Sequence, residues 1–153
     1  MSLTKEQLAE RVAELRKLTP EQRADRREAQ IAPKRAEHAA AVAEAELVKQ
    51  AAEEEYGLGH VQLLAADESL EGAIVLRMPS DPEWRAARSV FRSEKAKEAA
   101  KTDAEERLIR QCILYPDVEV WVETVRRCPT WHNPAAKACV TMGELTERET
   151  EGK

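Results

Sequence analysis

Four side chains in the last third of the chain, Cys112, Cys128, His132 and Cys139, have the chemistry to hold a zinc ion or to run a thiol-based reaction. A structural zinc site takes thiolates and imidazoles in a tetrahedral set, and a C-x2–4-C knuckle lets one short loop present two thiolates to one ion. The three cysteines stand sixteen and eleven residues apart, so no knuckle is present. They also fall on or beside the apolar stripes of their segments, where cysteine behaves as a small buried hydrophobe. Cys128 and His132 can be drawn as nucleophile and base, but Pro129 and Pro134 disrupt regular helix there and no orienting third group is evident. Three widely spaced thiols read most simply as free cysteines in a reducing compartment.

Other candidate chemistry is weaker. Gly57 and Gly59 form a lone G-x-G with no third glycine and no following Lys-Ser/Thr, so they stop a helix and do not cradle phosphate. The run Glu53, Glu54, Glu55 lacks alternating ligand spacing and reads as a solvated face. Arg23, Arg26, Arg27, Lys34 and Arg35 are interleaved with Asp25 and Glu28, which reads as a salt-bridged helix surface. No catalytic, cofactor-binding or metal-ligating residue is assigned, and the chain is expected to be a non-enzyme without a cofactor.

The elements that would position any site are marked by their starts. A side-chain oxygen at the N-cap satisfies an orphan N–H, and Glu or Gln three residues on can answer it. Thr4 with Gln7 opens a first helix carrying Leu8, Val12 and Leu15 on one face, and Thr19, Pro20 and Gln22 open a second that runs to about Tyr56. Pro33 inside it predicts a kink or break near Ala32. The stretch from Lys34 to Glu55 is mostly Ala and Glu, with Val42, Leu47 and Val48 as its larger apolar residues, and reads as an arm that is solvated or awaits a partner.

His60–Ala66 and Gly72–Met78 are short apolar runs around the polar turn Asp67, Glu68, Ser69, which predicts a β-hairpin. Four short helices should follow: from Ser80 with Pro82 and Glu83, from Thr102 with Glu105 ending at Tyr115 and Pro116, from Asp117, and from Asn133 with Pro134 to near Gly143. Trp84, Phe91 and Trp121 fall at helical spacing and belong to the core, while Trp131, in the loop from Pro129 to Pro134, is open to two roles, joining the core as a cap of the bundle, which is the favoured one, or anchoring a partner. The fold class is therefore mainly α: a helical N-terminal arm over residues 1–57, a hairpin plus bundle of about four short helices over 58–145, and a polar tail over 146–153.

Charge narrows the partners. Lys and Arg number 24 against 29 Asp and Glu, a formal charge of −5 spread in both signs, which argues against a nucleic-acid binder of the basic-patch kind. No stretch approaches the roughly 20 apolar residues of a membrane span, and no secretory leader is evident at the N-terminus. A cytoplasmic protein is expected. The candidate contact residues for a protein partner are Leu8, Val12 and Leu15, then Val42, Leu47 and Val48, and Trp131; self-association through the arm is a further expectation.

The segment LIRQCILYP, Leu108 to Pro116, continues with Asp117 as a C-x-x-x-P-D run from Cys112. Before it, Arg77, Met78 and Pro79 leave a short strand and lead into a helix with Glu83 and Trp84. After it come Trp121, a proline-started turn at Pro129, and a small-residue C-terminal helix. In these features, over roughly residues 60–145, the chain resembles phage tail assembly chaperones; the N-terminal arm lies outside the resemblance. The likeness implies a binding protein of the host cytoplasm that coats the long apolar tape-measure protein, keeps it soluble, helps recruit tail-tube subunits and leaves before the tail matures. Relatives are in some cases extended by ribosomal frameshifting. The alternative from the residues is a small structural subunit retained in a phage or phage-like particle.

Overall fold

A computed structural model describes residues 3–65 and 72–152. The chain divides into two compact units, residues 1–37 and 38–153. The boundary falls twenty residues before the expected one at residue 57, because the second half of the long helix packs on the sheet.

The first unit holds α1 (Lys5–Arg16) and the beginning of α2 (Pro20–Tyr56). The capping box at the start of α1 forms as the sequence predicts: Gln7 N–H donates to Thr4 Oγ1 at 3.2 Å, and Thr4 N–H donates to Gln7 Oε1 at 3.1 Å. Thr19 and Gln22 repeat the exchange at the start of α2, at 3.2 and 3.0 Å. Of the kink or break expected near Ala32, the break is absent, since α2 continues through Pro33. Ala29 and Pro33 both lie at the surface, so water can take the Ala29 carbonyl that the missing proline N–H leaves free. No described residue of this unit is buried.

The second unit is mainly α around a three-stranded antiparallel sheet in the order β1 (Val61–Ala65), β2 (Ala73–Arg77), β3 (Ile113–Tyr115). The hairpin register pairs Val61 with Arg77 and Ala65 with Ala73; the expected turn Asp67, Glu68, Ser69 lies outside the described residues. β3 is a correction to the expected helix, which ends at Cys112. Ile113, Leu114 and Tyr115 are β-formers on the approach to Pro116, which disfavours helix in the residue before it.

Alternation on the central strand sorts two cores. Ala73 and Val75 join Val61 against Ala45 and Ala52 of α2, with Val42 and Val48 partly buried beside them. Ile74 and Leu76 turn to the other face, onto the helices α3 (Asp81–Phe91), α4 (Glu98–Cys112), α5 (Val118–Arg127) and α6 (His132–Glu151). The strand is thus apolar on both faces, which is why AIVLR reads as a continuous run instead of an alternating one. The stretch of α2 expected to stand as a free arm is, from residue 38 on, one wall of this core.

Three helix limits differ from the expected ones. α4 starts at Glu98, not at Thr102, because Glu98, Ala99, Ala100 and Lys101 are strong helix formers with nothing to stop them. α6 starts at His132 after a 3-10 turn, Pro129–Trp131, which puts Pro134 in the first turn, where an absent N–H breaks no intrahelical bond. It also runs to Glu151, past Gly143 and through most of the expected polar tail. Thr146 Oγ1 donates to the Pro79 carbonyl at 3.2 Å, and Glu149 meets His60 Nε2 at 3.1 Å, so the tail is tied to the body.

Candidate partner-binding surface

The residues proposed from the sequence separate into three environments. Leu8, Val12 and Leu15 lie together on one face of α1 by steps of four and three, and all are exposed, at 53, 39 and 38 %. Leu3, which the sequence reading passed over, is exposed as well and precedes the N-cap; with Leu8 it holds the two positions of a hydrophobic staple. Of the second set, Val42 and Val48 turn into the sheet core, while Leu47 points to solvent. Trp131 is fully enclosed. It stands edge-on to Trp121, ring centroids 6.4 Å apart, so it packs the bundle and offers no surface to a partner. Its indole N–H has no hydrogen-bond acceptor among the described residues.

The thiols and imidazoles do not converge. Cys112 and Cys139 are buried side by side in the core, whereas Cys128 lies at the edge. A hydrogen bond with Cys112, and then burial, push the Cys139 thiol well above the ordinary cysteine range, which makes it an unreactive packing group. His132 is occupied elsewhere, its Nε2 lying 2.9 Å from Glu105 Oε2. Among the described residues no three His, Cys, Asp or Glu side chains stand close enough to share a metal ion.

Two charged clusters hold the second unit together. The Arg77 guanidinium bonds both Glu83 oxygens at 2.9 Å and donates to the Gln111 carbonyl at 2.7 Å. The Tyr56 ring stands 5.9 Å from its central carbon. One side chain thus links β2, the start of α3, the end of α4 and the end of α2. The bonds from Arg77, joined by the Ser80 N–H, hold Glu83 down to about 2. In the second cluster Glu147 accepts from Trp84 Nε1 at 3.2 Å and pairs with Arg88 and Arg92. The indole bond, followed by the two arginines, holds this carboxyl below the usual range. Both clusters are internal ties; the second also borders a shallow surface cleft, lined by Asp81, Arg85, Arg88, Glu147 and Glu151, in which the two signs of charge are mixed.

The arginine stretch of the first unit behaves otherwise. Only Arg35 finds the interleaved Glu28, at 2.8 Å. Arg23, Arg26 and Arg27 make no ion pair among the described residues, so the expected salt-bridged surface is not formed there. With Arg11, Leu15 and Gln30 they line a groove of about 440 Å3 between α1 and α2. The signal was present in the numbering: 23, 26, 27 and 30 fall on one helical face.

No described helix is long and apolar enough to cross a membrane. Set against protein-family models, curated proteins and solved structures, the chain matches none of them.

Proposed function

We propose that the protein is a non-enzymatic assembly chaperone of the phage-tail kind, which covers apolar helical stretches of a tape-measure-like client, keeps it soluble and helps recruit tail-tube subunits. The observation that carries this reading is the α1 stripe of Leu8, Val12 and Leu15, exposed on a unit in which no described residue is buried. An amphipathic helix gains most of its stability by burying its apolar face. A helix whose face is left open therefore suits a surface completed by another helix, in the manner of helix-in-groove recognition.

The size of the stripe supports many weak contacts in place of one strong one. Covering the exposed remainder of three side chains is worth about 3 kcal/mol, which alone corresponds to binding weaker than about 1 mM. A long client that repeats its apolar seam recruits many copies and gains strength from their number. Release before maturation then needs no chemical step, only competition for the seam by tube subunits. The likeness of residues 60–145 to the tail chaperones supports the choice of client.

Co-expression with a tape-measure-class helical protein tests this. The client should stay in the supernatant with several copies of the chain bound. The chain should be missing from purified mature particles. A client that aggregates regardless, or a fixed number of copies retained in mature particles, contradicts the proposal.

A further inference from the structure

The groove of the first unit adds a charge rule to that surface. Arg11 and Leu15 lie one turn apart on α1 and face Arg23, Arg26, Arg27 and Gln30 on α2. Four guanidinium groups thus surround one cavity without a carboxylate in its lining, and none of them makes an ion pair or side-chain hydrogen bond among the described residues. Residues 1–37 carry nine Lys and Arg against seven Asp and Glu, a net +2, whereas residues 38–153 carry 15 against 22, a net −7. Leu15 belongs both to the groove and to the apolar stripe, so the stripe runs directly into the cationic cavity.

We propose that the groove receives carboxylate side chains that flank the apolar seam of the bound helix, so that the client is an acidic amphipathic helix. The inference rests on the proposed reading of α1 as a helix-binding surface. Guanidinium forks match carboxylates in bidentate geometry, and an occupant that follows Leu8, Val12 and Leu15 must present apolar groups until it reaches the arginines. A nucleic acid fits less well: its phosphates continue far beyond a groove of about 440 Å3, past an apolar stripe, on a chain of net charge −5.

The test uses the full chain and three helical peptides that share one Leu/Val seam and carry Glu, Gln or Lys at the flanking positions, with a DNA duplex as fourth probe. Affinities are read by titration calorimetry. The Glu peptide should bind about tenfold more tightly than the Gln peptide, as expected for two or three part-exposed charge pairs, and the Lys peptide most weakly. Arg23→Gln/Arg26→Gln/Arg27→Gln should bring the Glu peptide to the level of the Gln peptide and leave the latter unchanged. These three arginines are exposed, so circular dichroism of the variant should match the parent. Equal binding of the Glu and Gln peptides overturns the charge rule but leaves the helix-binding reading intact. Binding of none of the peptides overturns that reading and the rule with it. Tighter binding of the duplex than of the Glu peptide, lost in the arginine variant, makes the groove a phosphate site and overturns the proposal.

Discussion

Trp84 and Gly143 meet without a gap: a Cβ built on Gly143 would stand 2.2 Å from Trp84 Cε3 and 2.5 Å from Cδ2. The glycine lies in the middle of α6, and the reason for it is the indole of α3, whose ring atoms occupy the space a side chain would need. Neither partner can yield easily, because Trp84 is buried, packs near Phe91 and is fastened through its Nε1 to Glu147. Gly143→Ala adds one methyl where none fits and should destabilise the protein by about 1–3 kcal/mol, despite alanine's better helix propensity. Chemical denaturation measures it; an unchanged or raised midpoint would show that the two helices separate without cost.

Acidification isolates the Arg77–Glu83 pair. Because Arg77 holds the folded-state carboxyl near 2, below its ordinary 4.5, the pair contributes stability above the ordinary value and loses it as pH falls toward 2. Glu83→Gln should therefore cost on the order of 2 kcal/mol at about pH 7, and the difference from the parent should shrink steadily below about pH 5. A difference that stays constant down to about pH 2 would mean that the loss comes from packing and not from charge.

Alkylation distinguishes the thiols. Cys112 and Cys139 are fully enclosed, and Cys128 is only partly covered. The native chain should take up label at Cys128 alone, and at all three cysteines once unfolded. Fast labelling of Cys139 in native protein would show that the core around β2 and α6 opens readily.

Truncation locates the boundary. A chain starting at His38 keeps Ala45 and Ala52 over the sheet and should unfold in one cooperative transition, whereas a chain starting at Leu58 uncovers Val61, Ala73 and Val75 and should not. Equal stability of the two would show that the helix only rests on the sheet. Within the bundle, Trp121→Ala should cost about 3–5 kcal/mol as a large-to-small core change.

Much of this architecture is legible in the residues, because caps and periodicity are local. Thr4 with Gln7 forms the box its spacing announces, Asp117 starts α5, and the two apolar runs of the hairpin pair in register. What escaped depends on neighbours distant in sequence. The face of α2 that bears Ala45 and Ala52 has too little side chain to announce a core, yet small residues are what allow a sheet to approach closely. Gly143 looked like a helix stop because its real partner is Trp84, 59 positions earlier. The arginine groove is obscured in the sequence, because Asp25 and Glu28 stand near the arginines along the chain, yet among the described residues Glu28 pairs with Arg35 and leaves Arg23, Arg26 and Arg27 without an ion pair.

The α1 face remains the centre of the account, and Leu8→Gln/Val12→Gln/Leu15→Gln should change the unfolding free energy by less than about 1 kcal/mol, since exposed positions contribute little to the fold. Hydrogen exchange of the full chain, with and without an apolar helical client, tests the claim most directly. The account predicts new protection across residues 5–16 that disappears in the triple glutamine variant. Protection confined to residues 38–152, unchanged by that variant, would contradict it.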